Sequence, residues 1–373
     1  MPLLELDVQG YRSLRNVRIP LQQLNVITGP NGSGKSNLYR ALWLISQICE
    51  GGFARSICRE GGLLSVMWAG LRMNHKKPLR MTLGFRTDDI AFEIQCGFPQ
   101  PSSTRFGFDP EIKEESVWHG RVRKPSTTLL DRTPGITWIR DVDGNRVEYP
   151  LMLEENESVL SQLREPHRYP ELFAIREEVR GWRFYHTFRT DDAAPSRFPQ
   201  VSVRTPVLSH DGSDLAAALQ TILEIGDSNR LRTTISKALP GRSLVILSND
   251  SDPFQKSPRY TELTVGLQTD GCERPLVARE LSDGTLKFLC LAASLLSPRP
   301  TTLIALNEPE SSLHPDLLPP LAELIVNAAK SSQIWVSTHS QVLADAIQSL
   351  SLAQPIRLQI VNGETIAETE GGN

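Results

Sequence analysis

The chain has 373 residues, of which 39% are hydrophobic and 22% are charged, and its formal net charge is −3. This composition is typical of a soluble globular protein with a sizeable core, and the length favours two lobes or one domain with an insertion. The net charge gives no global case for a nucleic-acid partner, although local arginine clusters remain possible. The five cysteines form no CxxC pair, and no apolar run approaches the roughly 20 residues of a membrane span. We therefore expect a cytoplasmic protein with reduced thiols, no zinc site and no membrane segment.

The first part of the chain alternates between short strands and turns. Apolar residues predict strands over about 4–8 and 24–28, and a glycine-rich turn then leads into a helix over about 36–49. Two hairpins follow, one within 79–98 that turns at Asp88-Asp89 and one within 136–149 that turns at Asp143-Gly144.

The middle of the chain has a different character. Residues 99–135 are rich in Pro, Ser, Thr and charge with weak periodicity, and helical patterns occupy about 155–181 and 213–238, with a short strand near 181–188. A third hairpin is predicted within 260–280, turning at Asp270-Gly271. We interpret about 101–255 as an inserted, partly helical lobe between an N-terminal part, 1–100, and a C-terminal part, 256–373.

The last part of the chain predicts a regular α/β alternation. Helices are expected over about 285–296, 315–330 and 340–349, and strands over 301–306, 333–337 and 356–361. Such alternation is typical of a sheet covered by helices, whose functional loops follow the carboxyl ends of the strands.

The strongest motif is 29-GPNGSGKS-36, which fits G-x-x-x-x-G-K-[ST] between a predicted strand and a helix. Its glycines let backbone N–H groups surround a phosphate, and the helix N-terminus adds partial positive charge. Lys35 is expected to bridge the β- and γ-phosphates and Ser36 to bind Mg²⁺. The predicted ATP-binding residues of this segment are Gly29, Pro30, Asn31, Gly32, Ser33, Gly34, Lys35, Ser36 and Asn37.

A second motif, 281-LSDGT-285, precedes an apolar helix. Ser282 and Gly284 at a helix start present a hydroxyl and free N–H groups to an anion. By itself this pattern is weak, and it is more typical of Ser282 as an ordinary N-cap.

The segment 303-LIALNEPESSLHP-315 combines a predicted strand with an acidic end. Glu308 is placed where it could orient and deprotonate an attacking water, although a solvated loop carboxylate would show the same pattern. His339 ends the next predicted strand, in 335-WVSTHSQ-341, where a purely structural histidine is the alternative.

The order and spacing of these motifs carry more information than each motif alone. The sequence 10-GYRSL-14, the phosphate loop, a long insertion, LSDGT, NEPESSLHP and STHS follow one another along the chain. This succession resembles the ABC-type ATPase head, specifically the RecF/SMC-like branch of bacterial AAA-family ATPases. The resemblance implies an α/β P-loop NTPase with a mixed sheet, flanking helices and an inserted lobe.

The resemblance also implies a role for each matching residue. Lys35, Glu308 and His339 look like the catalytic lysine, the catalytic base and the switch histidine that contacts the γ-phosphate. Ser282 and Gly284 look like the signature that caps the nucleotide of a second subunit, which implies an ATP-sandwiched homodimer with Mg²⁺.

Two residues depart from the pattern of that family. Asn307 stands where an aspartate usually assists Mg²⁺; its amide oxygen can accept a hydrogen bond from a metal-bound water but supplies no charge. Asp283 places a negative charge in the signature, so its side chain is expected to turn away from the phosphates. We therefore predict slow hydrolysis, with Ser36 and Asn307 as the metal-side residues.

Two functions remain open at this stage. In the first, ATP-dependent dimerisation gates DNA binding in DNA repair or phage defence, and the basic segments 12–18 and 121–124 touch phosphates or are merely solvated. In the second, the ATPase is a sensor or regulatory subunit of a defence or toxin–antitoxin complex and acts on a protein partner.

Overall fold

The computed structural model describes residues 1–70, 78–100, 105–249 and 261–368. The chain divides into two compact units, the first formed by Met1–Trp182 with Ile356–Asn373 and the second by Arg183–Pro355. These divisions differ from the domain boundaries expected at 100/101 and 255/256. Those boundaries are inferred from the positions of the motifs, and they stay a prediction.

The first unit contains an eight-stranded antiparallel sheet. Its strands, in spatial order, are β2 (Leu14–Pro20), β1 (Glu5–Tyr11), β4 (Arg80–Arg86), β5 (Ile90–Gly97), β6 (Glu111–His119), β7 (Thr128–Thr133), β8 (Ile136–Arg140) and β9 (Arg146–Glu148). The hairpins predicted within 79–98 and 136–149 are confirmed as the pairs β4–β5 and β8–β9.

Strands β6 and β7 lie in the segment where the sequence shows little periodicity. The reason is that polar residues of β6 point inwards: Glu115 is fully buried and accepts hydrogen bonds from the hydroxyl of Ser158 and from the backbone N–H of Val159. Arg132 of β7 lies 3.8 Å from the same carboxylate. A strand that buries charged groups does not show the apolar alternation on which sequence prediction depends.

A smaller group of strands in the first unit carries the glycine-rich turn. Strand β3 (Leu24–Thr28) pairs in parallel with β17 (Ile356–Val361), which pairs antiparallel with β18 (Glu364–Glu368). Helix α1 (Lys35–Glu50) follows the turn and buries Leu38, Ala41, Leu42 and Ile45, as its periodicity predicts. The remaining helices of this unit are α2 (Phe53–Arg59), α3 (Leu63–Val66), α4 (Val159–Gln162) and α5 (Pro170–Arg180).

The helical patterns predicted over 155–181 and 213–238 are each interrupted. In the first, α5 starts at Pro170, a residue that favours the first turn of a helix because it needs no N–H partner there. In the second unit, α6 (Leu215–Ile225) and α7 (Ser228–Ala238) are separate because Asp227 accepts a hydrogen bond from Arg230 N and caps a new helix.

The second unit contains three parallel strands in the order β10 (Arg183–Tyr185), β15 (Leu303–Asn307) and β16 (Gln333–Ser337). The predicted C-terminal alternation is confirmed, with helices α8 (Asp283–Leu295), α9 (Leu318–Ala328) and α10 (Gln341–Leu350). An antiparallel group consists of β11 (Gln200–Val201), β12 (Arg242–Ser248), β13 (Glu262–Thr269) and β14 (Leu276–Val277). The pair β13–β14 confirms the third hairpin, whose first residue lies outside the described ranges.

Within the described ranges, no helix is both long and apolar enough to cross a lipid bilayer. All five cysteines are free, and three of them, Cys49, Cys96 and Cys290, are buried. Burial raises the pKa of the Cys96 thiol to about 12, so this side chain remains a neutral core residue at physiological pH.

Candidate functional site

The segment 29–36 connects β3 to α1 by a path that only glycine permits at two positions. Gly29, Gly32 and Gly34 have positive φ angles of 150°, 78° and 101°. A Cβ atom would lie 2.4 Å from the carbonyl oxygen of Leu358 if added to Gly29, and 2.2 Å from Thr365 Oγ1 if added to Gly34. Since both distances are far below van der Waals contact, the loop can follow this path only with glycine there.

Lys35 is buried at the start of α1 and its ammonium group lies against the loop. Its Nζ donates hydrogen bonds to the carbonyl oxygens of Gly29 at 2.6 Å and of Pro30 at 3.0 Å. The exposed residues of the loop are Pro30, Asn31, Gly32 and Ser36, whereas Ser33 is buried and its hydroxyl has no partner in the described part of the chain. The loop thus presents backbone N–H groups, a lysine and an exposed serine hydroxyl, which are the groups that bind a nucleotide's phosphates and Mg²⁺.

Asn37 has a different environment from the one a direct ATP contact would give. Its side-chain amide donates to Ser13 Oγ at 2.9 Å, and Ser13 Oγ lies 2.8 Å from Thr365 Oγ1. Asn37 therefore fixes the helix start from behind the loop in this structure.

In the second unit, two neighbouring strand ends bring predicted site residues together. Strands β15 and β16 are parallel, and Asn307 stands opposite Ser337 in their register. The backbone N–H of Glu308 donates to the carbonyl oxygen of Ser337 at 2.7 Å. As a result Glu308 Oε1 lies 3.8 Å from His339 Nδ1, and both side chains remain partly exposed.

The backbone of Glu308 is in the left-handed region, with φ 47°. Such a conformation costs about 1–3 kcal/mol for a residue other than glycine and is concentrated at functional sites. Strand β15 already ends at Asn307, and Pro309, which has no backbone N–H to donate, follows Glu308.

Glu310 is the buried carboxylate that holds the loop bearing His339. Its Oε1 accepts hydrogen bonds from Thr338 Oγ1 at 2.6 Å, from His339 N at 3.0 Å and from Ser340 N at 3.2 Å. His339 Nδ1 lies 3.4 Å from the same oxygen. The other oxygen, Oε2, is buried without a partner among the described residues, so the site keeps a free acceptor next to the proposed catalytic pair.

Lys287 of α8 holds the same loop from the other side. Its Nζ donates to Ser311 Oγ and to Ser311 O, both at 2.6 Å, and to Glu308 O at 3.3 Å. Burial lowers the pKa of Lys287, and the charges of Glu310 and Glu308 oppose that change. The lysine therefore fixes the backbone of this loop by donating hydrogen bonds to its oxygens.

Asn307 ends β15 with its side-chain oxygen buried and unpartnered in the described part of the chain. A buried amide oxygen without a partner costs about 1–3 kcal/mol, so it is expected to gain a donor when the site is filled. This arrangement suits a metal-bound water, whose O–H groups are donors.

The signature segment lies at the start of α8 and also belongs to the second unit. Ser282 is the N-cap, and its Oγ accepts from Thr285 N at 3.3 Å. A Cβ atom on Gly284 would lie 2.7 Å from Ser312 O, so glycine is needed where the two loops meet. With residues 238–240, Arg242 and residues 312–317, this segment lines an open cleft of about 800 Å³.

The aspartate in the signature is neutralised by a buried arginine. Arg197 forms a charged hydrogen bond with Asp283 and donates to the carbonyl oxygens of Ala278 at 2.9 Å and Leu281 at 2.8 Å. The Asp283 side chain is thus engaged with Arg197, and its orientation relative to a bound phosphate stays a prediction.

The structure therefore brings the predicted residues together in three local groups. The loop residues 29–37 form one; Asn307, Glu308 and His339 form another; Ser282 and Gly284 form a third. The sequence analysis missed Lys287 and Arg197, which belong to no motif. Glu310 is recognisable in the sequence as an acidic residue, but its hydrogen-bond partners are not.

In the described ranges, no cluster of three His, Cys, Asp or Glu side chains could hold a metal ion alone. The exposed hydroxyl of Ser36 and the side-chain oxygen of Asn307 are each groups that can bind a metal ion or a metal-bound water.

Fold and motifs together define a P-loop ATPase head of the RecF/SMC-like, ABC type. The family model described as "AAA domain, putative AbiEii toxin, Type IV TA system" matches residues 24–345, and the chain belongs to this family.

Comparisons with individual proteins agree with this class. A 47-residue segment is 49% identical to the DNA replication and repair protein RecF of Marinomonas sp. (strain MWYL1), covering 12% of this chain and only 13% of that protein. An Smc head bound to the C-terminal winged-helix domain of ScpA aligns with a TM-score of 0.59 and 16% identity, over 99% of this chain and 98% of the other.

A second Smc head, with an extended coiled coil and bound to the C-terminal domain of ScpA derived from Pyrococcus furiosus, aligns with a TM-score of 0.57 and 15% identity, over 98% and 96% of the two chains. At these identities the structural likeness establishes the fold alone, and it confirms the fold class expected from the sequence.

Proposed function

We propose that the protein binds ATP with Mg²⁺ at the phosphate loop and hydrolyses it slowly. The observation that carries the proposal is the pairing of Glu308 with His339 at adjacent strand ends, in a chain whose phosphate loop has the glycine-dependent path and buried lysine described above. Both groups of residues are proposed to act on ATP, as the order of the motifs along the chain implies.

Each residue then has a defined role. Lys35 exchanges its two carbonyl partners for oxygens of the β- and γ-phosphates. Ser36 and Asn307 would bind Mg²⁺, directly or through water. When bound there, Mg²⁺ would supply positive charge that stabilises the phosphates during transfer. Glu308 accepts a proton from water as the water oxygen attacks the γ-phosphorus and ADP leaves, while His339 contacts the γ-phosphate.

Slow turnover follows from the amide at position 307. Asn307 can accept a hydrogen bond from a metal-bound water but adds no negative charge to stabilise the ion. Glu308 is present, so the chemistry has its base, and hydrolysis is reduced rather than abolished.

ATP is further proposed to join two copies of the chain. The cleft at Ser282 and Gly284 presents the N-terminal end of the 13-residue helix α8, a favourable position for the phosphates of a nucleotide held by a second copy. Because Arg197 neutralises Asp283, the carboxylate in the signature opposes this contact less than an unpaired one would.

The dimer is proposed to gate DNA binding in DNA repair or phage defence. A specific observation also supports the alternative, a regulatory ATPase that acts on a protein partner. Three arginines of the basic segments are paired: Arg12 with Glu60, Arg18 with Asp7 and Arg123 with Asp131. Paired arginines gain less from phosphate contacts, which makes these three residues weak DNA contacts on their own.

ATP turnover by the wild type, Glu308→Gln and Asn307→Asp proteins with Mg²⁺ tests the proposal. We expect slow turnover by the wild type, none by Glu308→Gln and faster turnover by Asn307→Asp. If all three are silent yet bind ATP, the protein is a nucleotide-gated clamp rather than an ATPase. Light scattering with ATP then shows whether two copies of the chain associate. DNA titration at low and moderate salt distinguishes DNA gating from action on a protein partner. DNA binding that requires ATP and falls steeply with salt supports DNA gating.

A further inference from the structure

A chain of side-chain hydrogen bonds supports the phosphate loop from the side opposite its exposed face. Thr365 of β18, which is 1% exposed, donates from Oγ1 to the carbonyl oxygen of Ser33 at 3.1 Å. Its Oγ1 also lies 2.8 Å from Ser13 Oγ, and Ser13 Oγ accepts from Asn37 Nδ2 at 2.9 Å.

These contacts determine which group donates and which accepts in each hydrogen bond of this series. Thr365 uses its hydrogen on Ser33, so Ser13 must donate its own hydrogen to Thr365 Oγ1. The order is therefore Asn37 amide to Ser13 hydroxyl, Ser13 to Thr365, and Thr365 to the Ser33 carbonyl. Each hydroxyl both accepts and donates, an arrangement in which neighbouring hydrogen bonds strengthen one another.

The final acceptor matters because of peptide geometry. In a planar trans peptide the C=O and N–H groups point in opposite directions. Holding the Ser33 carbonyl towards Thr365 therefore aims the N–H of Gly34 away from Thr365, towards the open face of the loop. The same threonine fills the space beside Gly34, where an added Cβ atom would lie 2.2 Å from Oγ1 and 2.9 Å from Cγ2.

A backbone contact connects the two ends of the chain at this point. The N–H of Thr365 donates to the carbonyl oxygen of Ser13 at 2.9 Å, joining β18 to the turn between β1 and β2. Ser13 and Thr365 both lie outside residues 24–345, the range over which the family model matches. Two of the three supporting side chains, those of Ser13 and Thr365, thus come from segments that the matched family range does not contain.

We propose that Thr365 and Ser13 are positioning residues for ATP binding, and that the hairpin β17–β18 is a working part of the phosphate site. This inference rests on the proposed ATP-binding function. It assigns to the two hydroxyls the orientation of the Ser33–Gly34 peptide, whose N–H is one of the phosphate donors, and it requires no contact between either side chain and the nucleotide.

The test compares ATP affinity, measured calorimetrically with Mg²⁺, in Thr365→Val, Thr365→Ser and Ser13→Ala proteins. Valine keeps the shape of threonine without the hydroxyl, and we expect it to weaken ATP binding about tenfold, equivalent to about 1.4 kcal/mol. Serine keeps the hydroxyl and should bind within about twofold of the wild type. Ser13→Ala should weaken binding less than valine, because the Thr365–Ser33 bond remains.

The matched control is Thr82→Val, a buried threonine of β4 in the same unit. It should leave ATP affinity unchanged, and thermal unfolding of every variant shows whether the fold is intact. Equal affinity in wild type and Thr365→Val would overturn the inference, as would equal losses in Thr365→Val and Thr82→Val. If the wild type binds no ATP, the proposed function itself fails, and the positioning role fails with it.

Discussion

The phosphate loop and the strand-end loop 307–312 are held in shape by different kinds of interaction. The phosphate loop is shaped by backbone conformation, with glycines at positive φ, and is supported by neutral hydroxyl and amide groups behind it. The strand-end loop is shaped by charge: Glu310 and Lys287 each bind several backbone and hydroxyl groups around Glu308. The first loop is prepared to receive negative charge, whereas the second supplies it.

This difference predicts which variants should affect ATP binding and which should affect ATP hydrolysis. Changes in the phosphate loop should weaken ATP binding, because its groups are arranged around a ground-state anion. Changes around Glu308 should lower turnover and leave binding nearly intact, because that group is proposed to act as charge moves in the transition state. Four substitutions test the contrast, from the largest expected effect to the smallest.

Glu308→Gln should have the largest effect. Removal of a general base lowers turnover by about 10²–10⁴-fold, and the amide should leave ATP affinity unchanged because it keeps the size of the side chain. Single-turnover hydrolysis with pre-bound ATP measures this. Glu273→Gln, an exposed glutamate of the same unit, is the control and should behave as wild type. Turnover equal to wild type would show that Glu308 is not the base.

Lys35→Met, in the phosphate loop, should have the second-largest effect, and it should act on ATP binding. Losing charged hydrogen bonds of about 1.5–3 kcal/mol to phosphate weakens ATP binding by about 10–150-fold. Calorimetric titration measures the affinity, and circular dichroism checks the fold, since Lys35 is buried. The exposed Lys330→Met is the matched control. A normal ATP affinity with lost turnover would assign Lys35 to chemistry alone.

Glu310→Gln should lower turnover by about tenfold with little change in ATP affinity. The substitution keeps one acceptor but removes the charge that holds Thr338, His339 and Ser340, at a cost of about 1–3 kcal/mol in the free energy of unfolding. Urea denaturation and steady-state kinetics give the two quantities. If KM rises while kcat stays constant, Glu310 serves binding, and the contrast between the two loops is weaker than described.

Asp283→Asn should have the smallest effect. Its carboxylate is 61% exposed, so solvent screens the pair with Arg197, and the loss of stability should stay below about 1 kcal/mol. Removing a negative charge beside the cleft should tighten ATP-dependent dimerisation about two- to fivefold, and less so at high salt. Sedimentation velocity at two salt concentrations measures this, with Asp270→Asn as the control. Weaker dimerisation would indicate that the Asp283–Arg197 pair shapes the cleft.

Prediction from sequence succeeded where structure is local. The helix after the phosphate loop, the three hairpins and the last α/β alternation follow periodicity and turn residues, and all are present. It failed for β6 and β7, because Glu115 and Arg132 are buried together and hide the apolar alternation. It also joined α6 to α7, because the cap at Asp227 is a single residue within a helical pattern.

By itself the sequence determined the phosphate loop and the family, since glycine conformation, a lysine and a serine within eight residues need no distant partner to be recognised. The tertiary structure alone decided what holds those residues in place. The register of β15 and β16 puts Glu308 beside His339, and a hydrogen bond from Thr365 reaches Ser33 across 332 residues of chain. Such partners carry no local signal, because a single hydroxyl or carboxylate acquires its role only when folding supplies its acceptor or donor.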